Sequence, residues 1–133
     1  MEEVWKSIPK WEGLYEASSF GRIRSCIRII KRIGKSNSTQ VRPYGGSLLS
    51  PKVNRNGYLE VNLWSDNKGS TASVHRLVCA SFYGLHPYNE VNHKDGNKLN
   101  NTKDNLEWMT RKENILDRDN RKNQSIKLAE LII

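Results

Sequence analysis

The residues of this 133-residue chain that could do chemistry crowd into one run, Glu90 to Ile115. It holds His93 next to Asn92, then Asp95, Asn105 and Asn114. A neutral imidazole can take a proton from an attacking water near neutral pH. Hard oxygen donors suit a hard divalent ion, which neutralises the charge that grows on a phosphate and its leaving oxygen. A histidine beside oxygen ligands is therefore the set that hydrolysis of a phosphodiester needs. Singly, these residues say little: a lone histidine is most often a satisfied surface group, and asparagine is common in turns and caps. Their spacing carries the information. Asp95 precedes Gly96 and reads as a turn residue rather than a ligand.

The elements that must position them follow from local patterns. Val91 to His93 reads as a short strand, and Lys94 to Lys103 as a polar turn region. Leu106 and Trp108 alternate with Glu107 and Met109 as a second strand. Thr110-Arg111-Lys112-Glu113 fits a capping box, so a helix starts near Arg111 with Asn114 in its first turn. The resulting ββα unit can bring His93 close to Asn114. Upstream, Tyr58 to Trp64 alternates as a strand after the turn Asn54-Arg55-Asn56-Gly57. Ser65 to Ser70 reads as a polar turn, Thr71 to Val74 as a returning strand, and His75 to Phe82 as a helix burying Leu77, Val78 and Phe82.

The first half is extended and basic. Leu14 to Ala17 and Arg22 to Ile29 read as strands joined by the hairpin loop Ser18-Ser19-Phe20-Gly21. Arg22, Arg24 and Arg28 fall on one face of the second strand, and Ile23, Ile27 and Ile29 on the other. No Asp or Glu occurs from Ala17 to Leu59, where Arg22, Arg24, Arg28, Lys31, Arg32, Lys35, Arg42, Lys52 and Arg55 lie. A β-ribbon of one sign can lie along a groove and neutralise phosphates. Gly34 to Ser47 reads as a long loop that orders on a partner.

Composition narrows the field. The net charge is +8 and the pI about 9.7, which points to a polyanionic partner, by default nucleic acid. Hydrophobic residues make up 36% with mean hydropathy −0.74, enough for a modest core only. Two cysteines, Cys26 and Cys79, far apart and without a C-x-x-C pair, argue against a cysteine-ligated zinc site and a disulfide scaffold. The amino terminus lacks a signal-peptide pattern, and no apolar run approaches the ~20 residues of a membrane span. A reducing cytoplasm, bacterial or phage-infected, is the expected compartment.

The run Val91-Asn92-His93-Lys94-Asp95-Gly96-Asn97, with Asn105-Leu106-Glu107-Trp108 after it, resembles the HNH nucleases of phages and group I introns. Trp5-Lys6-Ser7-Ile8-Pro9, Glu12-Gly13-Leu14-Tyr15-Glu16 and Gly21-Arg22-Ile23-Arg24-Ser25 resemble the NUMOD-type DNA-contacting motif that often precedes that module. Val74-His75-Arg76-Leu77-Val78 is similar to the stretch leading into it. The likeness spans roughly residues 4 to 118. It implies His93 as general base and Asn105 as the middle asparagine, fixing the loop and orienting His93. It implies Asn92 and Asn114 as oxygen ligands of one Mg²⁺ or Mn²⁺ per active site. An intron-encoded member has aspartate at the position of Asn92. The uncharged amide oxygen should hold Mg²⁺ more weakly, with substrate phosphates completing the shell on DNA.

The expectation is an α+β protein. Residues 1–57 would form a β-rich DNA-contacting region, 58–118 an HNH module of the ββα-metal type, and 119–133 a carboxy-terminal tail with the pattern of a short helix. The tail carries Ile126, Leu128, Leu131, Ile132 and Ile133 and stops without the helix-turn-helix region of the intron-encoded member. Arg22, Arg24, Arg28, Lys31, Arg32, Arg55, His75, Arg76, Lys94 and Lys98 are the candidate contacts to double-stranded DNA, with His75 and Arg76 open to structural roles instead. Trp5, Trp11, Trp64 and Trp108 are expected in the core. The expected reaction is hydrolysis leaving 5′-phosphate and 3′-hydroxyl ends, by a monomer that nicks or a homodimer that cuts both strands. The alternative is a catalytically degenerate HNH fold that binds DNA without cutting. An RNA-binding basic protein would explain the charge but not the His93–Asn105–Asn114 array.

Overall fold

The computed structural model describes residues 2–33, 39–113, 115 and 116. The architecture is α+β, as expected. β1 (Trp5–Ser7), β2 (Tyr15–Ser18) and β3 (Ile23–Ser25) form one antiparallel sheet in that order. Gly21 turns the β2–β3 hairpin at φ 87°, a left-handed conformation that glycine adopts without penalty.

The strand expected over Arg22 to Ile29 is divided. β3 ends at Ser25, and β4 (Arg28–Ile33) pairs with β5 (Thr39–Tyr44) in a separate ribbon. The break comes from bonds made at a distance: Cys26 N donates to Leu14 O at 2.8 Å, and Ser25 N to Ser47 O at 3.0 Å. Ile23 is accordingly buried, while Ile27 is 72% exposed. β5 also replaces much of the loop expected over Gly34 to Ser47. Thr39, Val41 and Tyr44 favour strand, and Pro43 is tolerated because each strand of a two-stranded ribbon has an open edge. Residues 34–38 lie outside the described part.

β6 (Lys52–Val53), β7 (Leu59–Ser65) and β8 (Lys68–Ser73) form a third antiparallel sheet in that order. Asn54 builds the β6–β7 turn. Its Oδ1 accepts from Asn56 N at 2.9 Å and Tyr58 N at 3.1 Å, and Gly57 takes φ 86°. The alternation of β7 holds, with Val61 and Leu63 buried and Asn62 and Trp64 exposed. The return strand starts earlier than expected, because only Asp66 and Asn67 make the turn, at φ 51° and 63°. Two consecutive positive φ values give the turn that matches strand twist, and Asp and Asn tolerate them.

Helix α1 (Val74–Tyr83) follows, with Leu77 and Val78 buried as expected. β9 (Glu90–His93) and β10 (Leu106–Met109) pair antiparallel, joined by a polar loop that ends in a 3-10 turn, Lys103–Asn105. Residues 111–113 are helical, and the capping box is made. Glu113 N donates to Thr110 Oγ1 at 3.2 Å, and Thr110 N to Glu113 Oε2 at 3.3 Å.

One apolar core serves both halves. Ile8, Tyr15, Ala17 and Ile23 pack with Val61, Leu63, Val74, Leu77, Val78, Cys79 and Leu106. The Tyr15 hydroxyl accepts from Trp64 N at 2.9 Å, tying β2 to β7. Trp11 and Trp108 pack against this core. Trp5 is half-buried beneath the Arg24 guanidinium, 4.0 Å from its ring. Trp64 departs from expectation: it is 56% exposed on the outer face of β7, lying over Gly69. No described helix is long and apolar enough to cross a membrane. The expected tail, 119–133, lies outside the described residues.

Leu63 is fully buried where the two halves meet. Leu63→Ala should lower folding stability by about 2–5 kcal/mol, read as a lower urea midpoint with an unchanged slope.

Candidate active site

The antiparallel register sets His93 across from Leu106 and Asn92 across from Glu107. Between these strands the chain is polar and contributes almost nothing to the core, so its shape must come from hydrogen bonds. Asn105 supplies them. Its backbone carbonyl accepts from Lys94 N at 2.8 Å, and its Oδ1 from Asp95 N at 3.0 Å. Its Nδ2 donates to Asp95 Oδ1 at 2.9 Å and to Asn100 O at 2.8 Å. Asp95 also accepts from Asn97 N and from Asn100 Nδ2, both at 2.8 Å. Chiefly because of the Asn100 bond, with help from Asn97 N, its carboxyl is held below the usual range. Asp95 is thus occupied as the anchor of the turn.

His93 is buried, and its Nε2 lies 2.8 Å from Oδ1 of Asn101. Asn101 is 3% exposed, and its Nδ2 is buried with no hydrogen-bond partner among the described residues. Such an orphan donor costs about 1–3 kcal/mol, so the fold tolerates a real penalty to place this amide against the ring. The His75 ring lies 5.3 Å from that of His93, and Tyr58 lies 4.7 Å from His75 and 5.9 Å from His93, centroid to centroid. Burial, then the neighbouring His93 and Arg76, push His75 down to about 4, so it stays neutral near pH 7. A cleft of about 480 Å³ opens beside this cluster, with Tyr58, His75, Arg76, Glu90 and Arg111 in its lining. Cys79, buried in α1, has its thiol pushed up to about 12 by burial and is inert as a nucleophile.

Asn92 is buried, and its Nδ2 donates to Glu107 Oε1 at 3.0 Å. That bond fixes the amide and leaves Oδ1 as its remaining polar atom, a hard oxygen next to a carboxylate. This chemistry fits a hard divalent cation and not a thiophilic one. Among the described residues no group of three or more His, Cys, Asp or Glu could hold a metal. Asn114 lies outside the described residues.

The basic candidates are spread over several elements. Arg22 pairs with Glu3, its Nε 2.7 Å from Oε2. Arg24 pairs with Glu16 at 2.9 Å while stacking on Trp5. Arg28 is half-buried at the start of β4. Lys31 and Arg32 lie on β4, opposite Val41 and Gln40, with side chains outside the described part. Arg76 donates to Asn89 O at 3.1 Å and stacks on Trp108, stapling the connection between α1 and β9. Arg55, Lys94 and Lys98 are exposed. Lys98 Nζ reaches Asn56 O at 2.9 Å and sits over the Tyr58 ring, so the β6–β7 turn and the β9–β10 loop meet there. The structure therefore gathers Asn92, His93, Asn105, His75, Lys94 and Lys98, and leaves Arg22 and Arg24 on carboxylates.

Sequence reasoning passed over Asn101, Tyr58 and Glu107. Asn101 is one of four asparagines between positions 97 and 105, and nothing local distinguishes it. Tyr58 and Glu107 were visible only as members of alternating strands, although the register of β9 and β10 does set Glu107 across from Asn92.

The neutral His75 has a consequence for stability. Its folded pKa, about 4, lies below the unfolded value near 6.5. The unfolded state thus binds more protons between these values, and stability falls as pH drops through that window. The loss should reach roughly 3 kcal/mol by pH 4. Stabilities from urea titrations should fall more steeply with falling pH in the wild type than in His75→Leu between those values. Parallel pH dependences would mean that His75 ionises as readily in the folded protein as in the unfolded one.

Comparison with known proteins agrees with this geometry. The NUMOD4 motif family matches residues 3–64 and the HNH endonuclease family matches residues 72–116. DNA endonuclease I-HmuI of Bacillus phage SP01 is 34% identical over 131 residues, 96% of this chain and 64% of that protein. The HNH endonuclease L245 of Acanthamoeba polyphaga mimivirus is 39% identical over 115 residues, 86% of this chain and 29% of that protein. The chain thus spans less than two thirds of the length of these relatives. A solved structure of the HNH homing endonuclease I-HmuI, describing DNA binding and cleavage, superimposes with a TM-score of 0.67 at 33% identity, covering 98% of this chain and 67% of that one. With a buried histidine on a β-loop-β-helix unit, a loop pinned by asparagine and an amino-terminal motif in the matching order, the chain belongs to the HNH endonuclease family.

Proposed function

We propose that this chain is a divalent-metal-dependent endonuclease that hydrolyses the backbone of duplex DNA, nicking one strand per site. The observation that carries the reading is His93. It is buried on the last position of β9, with Nε2 held at 2.8 Å by Asn101 and with Asn92 and Glu107 beside it. A histidine serving only as packing has no use for that polar surround. The relatives, the DNA endonuclease I-HmuI among them, support the same reading.

His93 is the general base: it accepts the proton of the attacking water as the new P–O bond forms. Asn105 holds the loop that carries the approach to His93. HNH endonucleases generally use a divalent metal. We assign it as Mg²⁺, with Mn²⁺ as a substitute, and Asn92 and Asn114 as its protein ligands. When bound, the ion would neutralise the charge on the scissile phosphate and the departing 3′ oxygen. The carboxylate of Glu107 adds negative charge beside Asn92, which offsets part of what a neutral amide lacks as a ligand.

Residues 1–57 contribute DNA contacts and 58–118 the chemistry, over their shared core. Arg55, Lys94 and Lys98 are the first candidates for backbone phosphates, because they stand exposed on the two turns that meet at Asn56. Arg28, Lys31 and Arg32 extend the positive ribbon. Arg22 and Arg24 reach phosphates only in exchange for Glu3 and Glu16. His75 and Arg76 act mainly as supports. The reduced thiols suit a cytoplasmic setting. A single active site makes a monomer that nicks the simplest assembly. A binding module without catalysis is the second reading, favoured by the uncharged Asn92.

Supercoiled plasmid and phage genomic DNA, incubated with Mg²⁺, Mn²⁺ or EDTA beside His93→Ala, decide between them. The expected result is metal-dependent conversion to open circles, reduced about 10²–10⁴-fold in the variant. Linear product would show paired active sites. Intact DNA in every metal, together with a gel shift, would establish the binding module.

A further inference from the structure

Asn101 touches two things at once. On one side its Oδ1 meets His93 Nε2. On the other its backbone lies against Gly21, at the tip of the β2–β3 hairpin. A Cβ at Gly21 would stand 2.6 Å from Asn101 O and 3.0 Å from Asn101 Cβ. The approach is therefore open to glycine alone, and Gly21 also takes φ 87°. A second bond clamps the same pair of segments, from Lys103 N to Ser19 O at 3.0 Å. The hairpin itself is braced: Ser18 Oγ accepts from Arg22 N at 3.0 Å, and Ser19 Oγ from Val4 N at 2.9 Å.

We propose that Asn101 is the positioning residue that fixes the tautomer of His93, and that the Ser18–Gly21 hairpin of the amino-terminal region holds Asn101 in place. A neutral imidazole has one N–H and one lone pair. An acceptor oxygen on Nε2 puts the hydrogen there and leaves Nδ1 as the basic nitrogen. With Nε2 as the acceptor instead, Nδ1 would carry the hydrogen and could not take one from water. The unpartnered Nδ2 of Asn101 belongs to the same arrangement: the amide presents its oxygen to the ring and leaves its nitrogen buried. This inference rests on His93 being the general base, but the tautomer can be read without any cleavage.

The experiment uses the full chain labelled with ¹⁵N-histidine. Long-range ¹H–¹⁵N spectra at about pH 8, where an ordinary imidazole is neutral, report which nitrogen carries the hydrogen; His93→Gln identifies the signal. The wild type should show Nε2–H. Asn101→Leu should shift His93 toward Nδ1–H and lower kcat for nicking about 10²-fold, with KM for DNA within about twofold. Asn101→Asp keeps an oxygen at the same place and should retain the wild-type tautomer. Gly21→Ala should shift the tautomer in the same direction as Asn101→Leu. Should that variant fail to fold, Lys103→Pro removes the N–H that Ser19 accepts, together with the Lys103 ammonium over the Phe82 ring, at the first position of a 3-10 turn where proline is accommodated. Nδ1–H in the wild type, or a wild-type tautomer in Asn101→Leu, would overturn the Asn101 assignment. An unchanged tautomer in folded Gly21→Ala or Lys103→Pro would overturn the role of the hairpin. If the wild type shows Nε2–H and the variants shift as stated but no protein cuts DNA, the endonuclease reading fails and the positioning stands.

Discussion

Everything at this site hangs on the side chain of Asn105. The stretch between β9 and β10 buries little apolar surface, so packing cannot hold it. Two donors and one acceptor on a single amide join Asp95 to Asn100, while the Asn105 carbonyl takes Lys94 N. The loop closes around that one residue, and the position of Asn101 beside His93 follows from the closure. An amide suits the task because it donates and accepts at once. A carboxylate would offer acceptors only and would repel Asp95.

The local features of the fold were legible because their causes are local. The capping box at Thr110, the Asn54 turn and the alternation of β7 each depend on residues within a few positions. The division of Arg22 to Ile29 depends on bonds from Cys26 to Leu14 and from Ser25 to Ser47, and β5 on its pairing with β4, none of which a window of sequence displays. The partners of the basic residues are likewise set at a distance. The stretch from 17 to 59 has no acid, yet the partners of Arg22 and Arg24 are Glu3 and Glu16, both outside it. His93, the proposed general base, stands out by its spacing and Asn101 does not. Four asparagines crowd the loop, and only the fold decides which one meets the ring.

Burial around His93 is aromatic on one side and polar on the other. Tyr58 and a neutral His75 supply the first, Asn101 the second. Keeping His75 uncharged spares His93 a like-charge neighbour. The ring is thus packed against aromatic groups and met by an amide oxygen, while the cations Lys94 and Lys98 stay on the exposed rim.

The common core limits how such a protein can be rearranged. Ile8, Tyr15, Ala17 and Ile23 come from the stretch matching one motif family, and Leu77, Val78 and Leu106 from the stretch matching the other. A recombination event that joined the second stretch to a foreign first one would have to match these side chains in volume, and would have to supply a glycine at the hairpin tip. The two motifs are separable as text and inseparable as a solid. Swaps between relatives should succeed only where the seam has drifted little, whatever DNA each half contacts.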